Sequence, residues 1–99
     1  MELTFEWDPS KARINLKDHA VSFKEATTVF DDEMGITIFD PDHSESEDRF
    51  ILFGQSATNR ILLVVHTDRS NVVRIISARE LSRNERKAYE KEIIRRKGL

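Results

Sequence analysis

Arg74 is the residue of this chain whose position most needs a chemical explanation. It interrupts the apolar run Val72-Val73-Arg74-Ile75-Ile76, in a strand whose side chains should be at least half buried. An unpaired guanidinium there would cost on the order of several kcal/mol, so it needs a carboxylate or an anionic ligand. Strict alternation sends it to the face opposite Val73, Ile75 and Ser77. Arg79 lies just past the expected end of the same strand, and Arg49 opens another. From such positions three guanidinium groups can converge over one sheet face, and their planar forks suit the oxygens of a pentavalent phosphate. The alternative for Arg74 is a structural ion pair with one of the chain's many carboxylates.

Two histidines are candidate acids or bases. His19 follows the first expected helix and His66 ends the most apolar strand, and imidazole ordinarily exchanges its proton near neutral pH; a purely structural role is the alternative for each. His43 stands among Asp40, Asp42, Glu45 and Glu47. That spacing matches no metal loop, lacking the glycine and twelve-residue ligand pattern of a calcium-binding EF-hand, so a solvated acidic loop is expected and no metal or cofactor. No nucleophile elbow, phosphate-binding glycine loop or dinucleotide fingerprint is present. Trp7, Phe23 and Phe30 stand at spacings that suit a core rather than a base-stacking platform.

The elements that must position these groups follow from pattern. Residues 4–7 read as a short strand stopped by Asp8-Pro9, a helix-opening pair, and a helix then runs to about residue 18. Ser22 and Glu25 have the spacing of a capping box, opening a second helix over residues 23–30. Strand-like sequence resumes at Ile36, Ile38 and Phe39. Residues 49–54, 60–66 and 72–77 are three runs rich in β-branched and aromatic residues. Their short connections predict antiparallel neighbours. Ile61-Leu62-Leu63-Val64-Val65 is apolar on both faces, so it should be central and covered on both sides. Ser82 and Glu85 open a last helix to about residue 97. The expected fold is α+β: an antiparallel sheet of four to five strands with two N-terminal helices and a C-terminal helix.

With 99 residues the chain suffices for one domain, and 38% apolar against 34% charged residues implies a thin core. With no cysteine there is no disulfide, thiolate metal site or cysteine nucleophile. The longest apolar run falls far short of the roughly 20 residues of a membrane span, and the acidic start lacks the features of a signal peptide, so a cytoplasmic protein with no membrane partner is expected. The net charge of −2 conceals segregation. Asp31, Asp32, Glu33, Asp40, Asp42, Glu45, Glu47 and Asp48 fall in one stretch, whereas the chain from Arg69 onward is mostly basic. That basic third could meet a phosphate backbone, or could simply be a solvated helix face.

Taken together, the residues resemble a known family. Phe5-Glu6-Trp7-Asp8-Pro9 with Lys11 and Asn15, His19-Ala20-Val21-Ser22-Phe23, Asp40-Pro41-Asp42-His43-Ser44-Glu45 and Glu47-Asp48-Arg49-Phe50 are similar to the BrnT toxins. The colinear match continues through Gly54, Leu63-Val64-Val65-His66-Thr67 and Arg74-Ile75-Ile76-Ser77-Ala78-Arg79 to Tyr89-Glu90. This resemblance implies a RelE-like ribonuclease fold, RNA cleavage that halts translation, and neutralisation by a BrnA-type antitoxin with a ribbon-helix-helix part. Operator DNA would be met only through the toxin-antitoxin complex. The family's arginines map onto Arg49, Arg74 and Arg79, and its histidine after the first helix onto His19. Where the family shows Lys-His-Gly, this chain has Asp18-His19-Ala20. A catalytically weak toxin-like module that binds a DNA-binding partner is the competing function; a metal-dependent nuclease using the acidic loop is a third.

Overall fold

In a computed structural model, which describes residues 3–44 and 46–98, the chain forms five strands and three helices. Strand β1 (Thr4–Glu6) leads into helix α1 (Pro9–His19), where the Asp8 side chain accepts from the Ser10 amide at 2.8 Å and Pro9 takes the first turn. Helix α2 (Phe23–Thr28) runs into a 3-10 turn, Val29–Asp31. Then come β2 (Ile36–Phe39), a 3-10 turn at Pro41–His43, β3 (Arg49–Gln55), β4 (Ile61–Arg69), β5 (Val72–Glu80) and α3 (Arg83–Lys97). Glu45 of the acidic loop lies outside the described residues.

The sheet order is β1-β5-β4-β3-β2, so the doubly apolar run is indeed central. β2 through β5 are antiparallel neighbours, but β1 pairs with β5 in parallel, so the sheet is mixed rather than antiparallel throughout. The reason is connectivity: short turns force neighbours to reverse, whereas β1 reaches its partner only after most of the chain has intervened, and such a connection permits either direction.

The main core lies on one face of the sheet. Leu52, Leu62, Val64, Val73, Ile75 and Ala78 meet Val21, Phe23, Ala26 and Val29 there, with Phe5, Trp7, Ala12 and Phe30 packed around them. The aromatic rings are core members: Trp7 meets Phe23 edge-on at 6.0 Å and Phe5 meets Phe30 at 5.1 Å. Gly54 is required because a Cβ would come within 2.9 Å of Val29 Cγ1 and 3.0 Å of Asp32 Oδ2. That close approach lets Asp32 accept from the Gln55 amide at 2.8 Å and the Met34 amide at 2.9 Å.

Two polar side chains hold the helices to the sheet. β1 covers only Val72, Val73 and Arg74 of β5. Farther along that edge, buried Asn15 of α1 completes the ladder in place of a strand. Its amide donates to the Ala78 carbonyl at 2.8 Å and the Val21 carbonyl at 2.9 Å, and its carbonyl accepts from the Ala78 amide at 3.0 Å. Glu25 only half-completes its capping box. Ser22 accepts from the Glu25 amide at 3.0 Å, but the Glu25 carboxylate turns to Ser56, Thr58 and Arg60 in the turn between β3 and β4. Arg60 also donates to the Ala20 carbonyl at 2.9 Å, tying β4 to the end of α1.

The second face is covered only in part, contrary to the expectation that helices would close both. α3 contributes no buried residue. Its Glu85, Ala88, Tyr89 and Glu92 border an open groove of about 240 Å³ above Ile36 and Phe53. The charge pattern of α3 explains this loose seating. It holds itself through Arg86–Glu90, Arg95–Glu92 and Arg96–Glu92 pairs and through a full capping box at Ser82, and it has little apolar surface with which to dock.

Candidate functional site

This second face carries all three arginines, Arg49 and Arg74 beyond α3 and Arg79 at the border with it. Directly opposed residues on neighbouring strands share a face, and the register places Arg49 opposite Thr67, Thr67 opposite Arg74, and Arg74 opposite Glu6. One row therefore crosses the sheet as Glu6, Arg74, Thr67, Arg49. The next row holds Ser77, Val65 and Ile51, and the one after it Arg79, Leu63 and Phe53.

Simple alternation would put Arg74 and Arg79 on opposite faces. The register shifts between Val65 and His66: His66 pairs with Ile75 and Val65 with Ser77, which leaves Ile76 without a partner of its own. That β-bulge returns Ser77 and Arg79 to the face of Arg74. The expectation that Ser77 points away from Arg74 is thus overturned, because alternation is broken at one residue whose sequence carries no glycine or other bulge signal.

The arginines differ in their partners. Arg74 Nη1 donates to Glu6 Oε2 at 2.7 Å, so the structural ion pair foreseen for Arg74 exists, but both partners remain partly exposed on the open face. Arg79 makes a two-pronged contact with Glu85 at 2.8 and 3.0 Å. Glu85 is also the third residue of α3 and completes its capping box, and Arg79 together with the Ser82 backbone holds its carboxyl at about 2. Arg69, on the same face beyond Thr67, is bound to Glu47 by two contacts of 2.6 Å. Arg49 has no ion pair among the described residues. Its Nε is buried with no hydrogen-bond acceptor, and so is the hydroxyl of Thr67 beside it. The arginine face is therefore partly neutralised by carboxylates from three parts of the chain: Glu6 of β1, Glu47 of the acidic stretch and Glu85 of α3.

The histidines are not gathered with the arginines. His66 belongs to the core face, 3% exposed, stacked on Phe50 at 5.8 Å and edge-on to Phe30 at 4.9 Å. Its Nδ1 meets Asp68 at 2.7 Å and its Nε2 is buried without a partner. His19 is exposed at the end of α1 and borders a shallow groove with Lys11, Asn15, Asp18, Ile76 and Ser77. Since Ser77 projects from the arginine face between the Arg74 and Arg79 rows, this groove adjoins that face at the bulge. His43 pairs with Asp40 at 2.9 Å, and the described residues contain no group of three His, Asp or Glu side chains placed to hold a metal ion.

Sequence reasoning gave Thr67 no role, although it lies in the matched Leu63-Val64-Val65-His66-Thr67 segment and two residues beyond Val65 on the arginine-bearing face. It also passed over Arg60 and the clamping role of Asn15, because neither contact obeys a short-range spacing rule.

The family model described as "Ribonuclease toxin, BrnT, of type II toxin-antitoxin system" matches residues 7–85, a span that contains all five candidate residues and stops at the start of α3. Among solved structures, the chain is similar to the 1.1 Å crystal structure of the ribonuclease toxin BrnT of Brucella abortus. The TM-score is 0.60 and the identity 18%, covering 82% of this chain and 99% of that one. At such identity the likeness speaks for the fold. None of the curated proteins matches.

Proposed function

Since the chain belongs to the BrnT family of ribonuclease toxins of type II toxin-antitoxin systems, we propose that it is a metal-independent endoribonuclease acting through its open arginine face. The observation that carries this reading is the common orientation of Arg49, Arg74 and Arg79 on a sheet face that α3 leaves partly bare. Guanidinium groups fixed on a rigid sheet can hold the scissile phosphodiester and stabilise the charge that grows on it during reaction.

RNA carries its own nucleophile. A base takes the proton of the 2′-hydroxyl, the 2′-oxygen attacks the adjacent phosphorus, and the 5′-oxygen of the next nucleotide leaves with a proton. The products are a 2′,3′-cyclic phosphate and a 5′-hydroxyl. Of the two candidate bases, His19 is favoured, because it is exposed and its groove meets the arginine face at Ser77. His66 would have to leave a packed aromatic cluster on the opposite face.

In the cell, this activity would degrade cytoplasmic RNA and halt translation. A BrnA-type antitoxin with a ribbon-helix-helix part would neutralise it and carry the complex to operator DNA. The test is incubation of the purified protein with RNA in EDTA, followed by analysis of the 3′ ends. Cyclic phosphate ends in EDTA are expected, and a DNA strand of the same sequence should bind but stay intact. Cleavage restored only by Mg²⁺, or products ending in a 3′-hydroxyl, would overturn the mechanism.

A further inference from the structure

Thr67 is 4% exposed, and its hydroxyl lies in the same row as Arg49 and Arg74, directly opposed to both. Opposed residues on adjacent strands have Cβ atoms about 5 Å apart, so the hydroxyl sits between the stems of two arginines. Neither Thr67 Oγ1 nor the neighbouring Arg49 Nε has a hydrogen-bond partner among the described residues, although both are buried. Valine would fill the same space without leaving a polar atom unpaired. Buried donors without acceptors are destabilising, and two of them on directly opposed residues are near enough for one acceptor to serve both.

We propose that Thr67 is a substrate-binding residue: its hydroxyl and Arg49 Nε together receive a non-bridging oxygen of the phosphodiester flanked by Arg49 and Arg74. This rests on the ribonuclease reading above and adds to it a neutral donor at the centre of the charged row. The acceptor is an anionic oxygen rather than a metal ion, because the groups on either side are permanent cations that donate only. The row already draws such an oxygen at its other end, where Glu6 Oε2 sits 2.7 Å from Arg74 Nη1. A phosphodiester presents two charged oxygens close together, so one can share Arg74 with Glu6 while the other takes Thr67 and Arg49. The remaining orphan, His66 Nε2, belongs to the opposite face and is not part of this site.

The experiment compares Thr67→Val and Thr67→Ser with the parent protein. Three readouts are needed: cleavage of a short RNA, binding of its uncleavable all-deoxy counterpart by fluorescence anisotropy, and thermal unfolding without nucleic acid. Thr67→Val should bind the deoxy strand and cleave RNA on the order of 10- to 100-fold more weakly, the loss expected for one hydrogen bond to a charged group. It should unfold at a higher temperature than the parent, because an unpaired buried hydroxyl has gone. Thr67→Ser should stay within about threefold of the parent in binding, since it keeps the donor. Equal binding by Thr67→Val and the parent overturns the inference. So does equal weakening in both variants accompanied by lower unfolding temperatures, which marks a packing role. If the parent binds the deoxy strand but cleaves no RNA, the ribonuclease reading fails, while a selective binding loss in Thr67→Val still supports the assignment of Thr67. A parent that binds neither strand overturns both.

Discussion

Arg74 and Arg79 stand an odd number of residues apart in β5 and yet project from the same face of the sheet, because the strand takes up one extra residue at Ile76. Without that bulge Arg79 would point into the core face, where Ala78 and the α1–α2 layer are packed. The bulge therefore sets the composition of the arginine face, and the differing partners of the three arginines predict differing consequences of their removal.

Arg49→Ala and Arg74→Ala should each reduce RNA cleavage by a factor on the order of 10² to 10³, if the lost contact acts in the transition state, and should relieve growth inhibition. Circular dichroism should show an intact fold for Arg49→Ala, which breaks no ion pair among the described residues. Arg79→Ala should combine lower activity with a loss of about 1 kcal/mol of stability, since it also frees Glu85 and loosens the start of α3. Full cleavage by the Arg74→Ala protein would reduce that residue to the structural partner of Glu6.

The chain expressed alone should arrest growth, and co-expression with its cognate antitoxin should restore it. Growth unaffected in both cases would favour the binding-module function, consistent with the acidic Asp18 beside His19. Replacing His19 with alanine tests the same point in the tube: a loss of cleavage with unchanged binding of a deoxy strand identifies it as the base.

Asn15→Ala should be among the most destabilising single changes, by about 2–3 kcal/mol measured in urea. It strips both the amide and the carbonyl of buried Ala78 of their partner and leaves no strand to replace it. A cost below about 0.5 kcal/mol would mean that the β5 edge finds other partners.

Ala20 ends α1 in the left-handed region, at φ 56° and ψ 31°. A Cβ is unfavourable in that conformation, and glycine there should raise stability by about 1 kcal/mol without altering the His19 backbone. Ala20→Gly should therefore raise the unfolding midpoint.

Acid should unfold this protein through two carboxyls. Arg60 holds Glu25 at about 2 against an ordinary 4.5, assisted by Thr58 and Ser56 and opposed by burial. Arg79 does the same for Glu85. A folded-state value below the unfolded one means stability that is complete above pH 4.5 and lost as the pH falls toward 2. Between pH 6 and pH 3 the loss should be about 2 kcal/mol for Glu25, whose side chain is 13% exposed, and less for the more exposed Glu85, where solvent screens the pair. In Glu25→Gln the stability at pH 6 should drop and the acid-dependent part should shrink.

Much of this architecture was legible in the residues. The doubly apolar run at Leu62–Leu63–Val64 announced the central strand, Asp8-Pro9 and Ser82 with Glu85 announced helix starts, and the short turns between β3, β4 and β5 announced their reversal. These are local rules, and each was satisfied locally. What escaped was set by long-range contact. The parallel seat of β1 depends on which edge remains open once the meander has formed. Glu25 abandoned its box for an arginine far along the chain. The convergence of the three arginines on one face was expected from their positions, but the bulge that brings Arg79 to the face of Arg74 has no signature residue and was not.

The carboxylates folded back onto the arginine face have a consequence for how nucleic acid would be felt there. Binding to a bare cationic surface is driven by release of the counterions condensed on the phosphates, and it weakens steeply as salt rises. Here Arg69, Arg74 and Arg79 each meet a protein carboxylate first. An arriving phosphate must compete with glutamate for a guanidinium, and the displaced glutamate offsets part of the charge gained. The logarithm of affinity should therefore fall with the logarithm of salt less steeply than the number of arginines on the face implies. Removing Glu6, Glu47 or Glu85 should steepen that slope, giving a tighter and less discriminating grip on any polyanion.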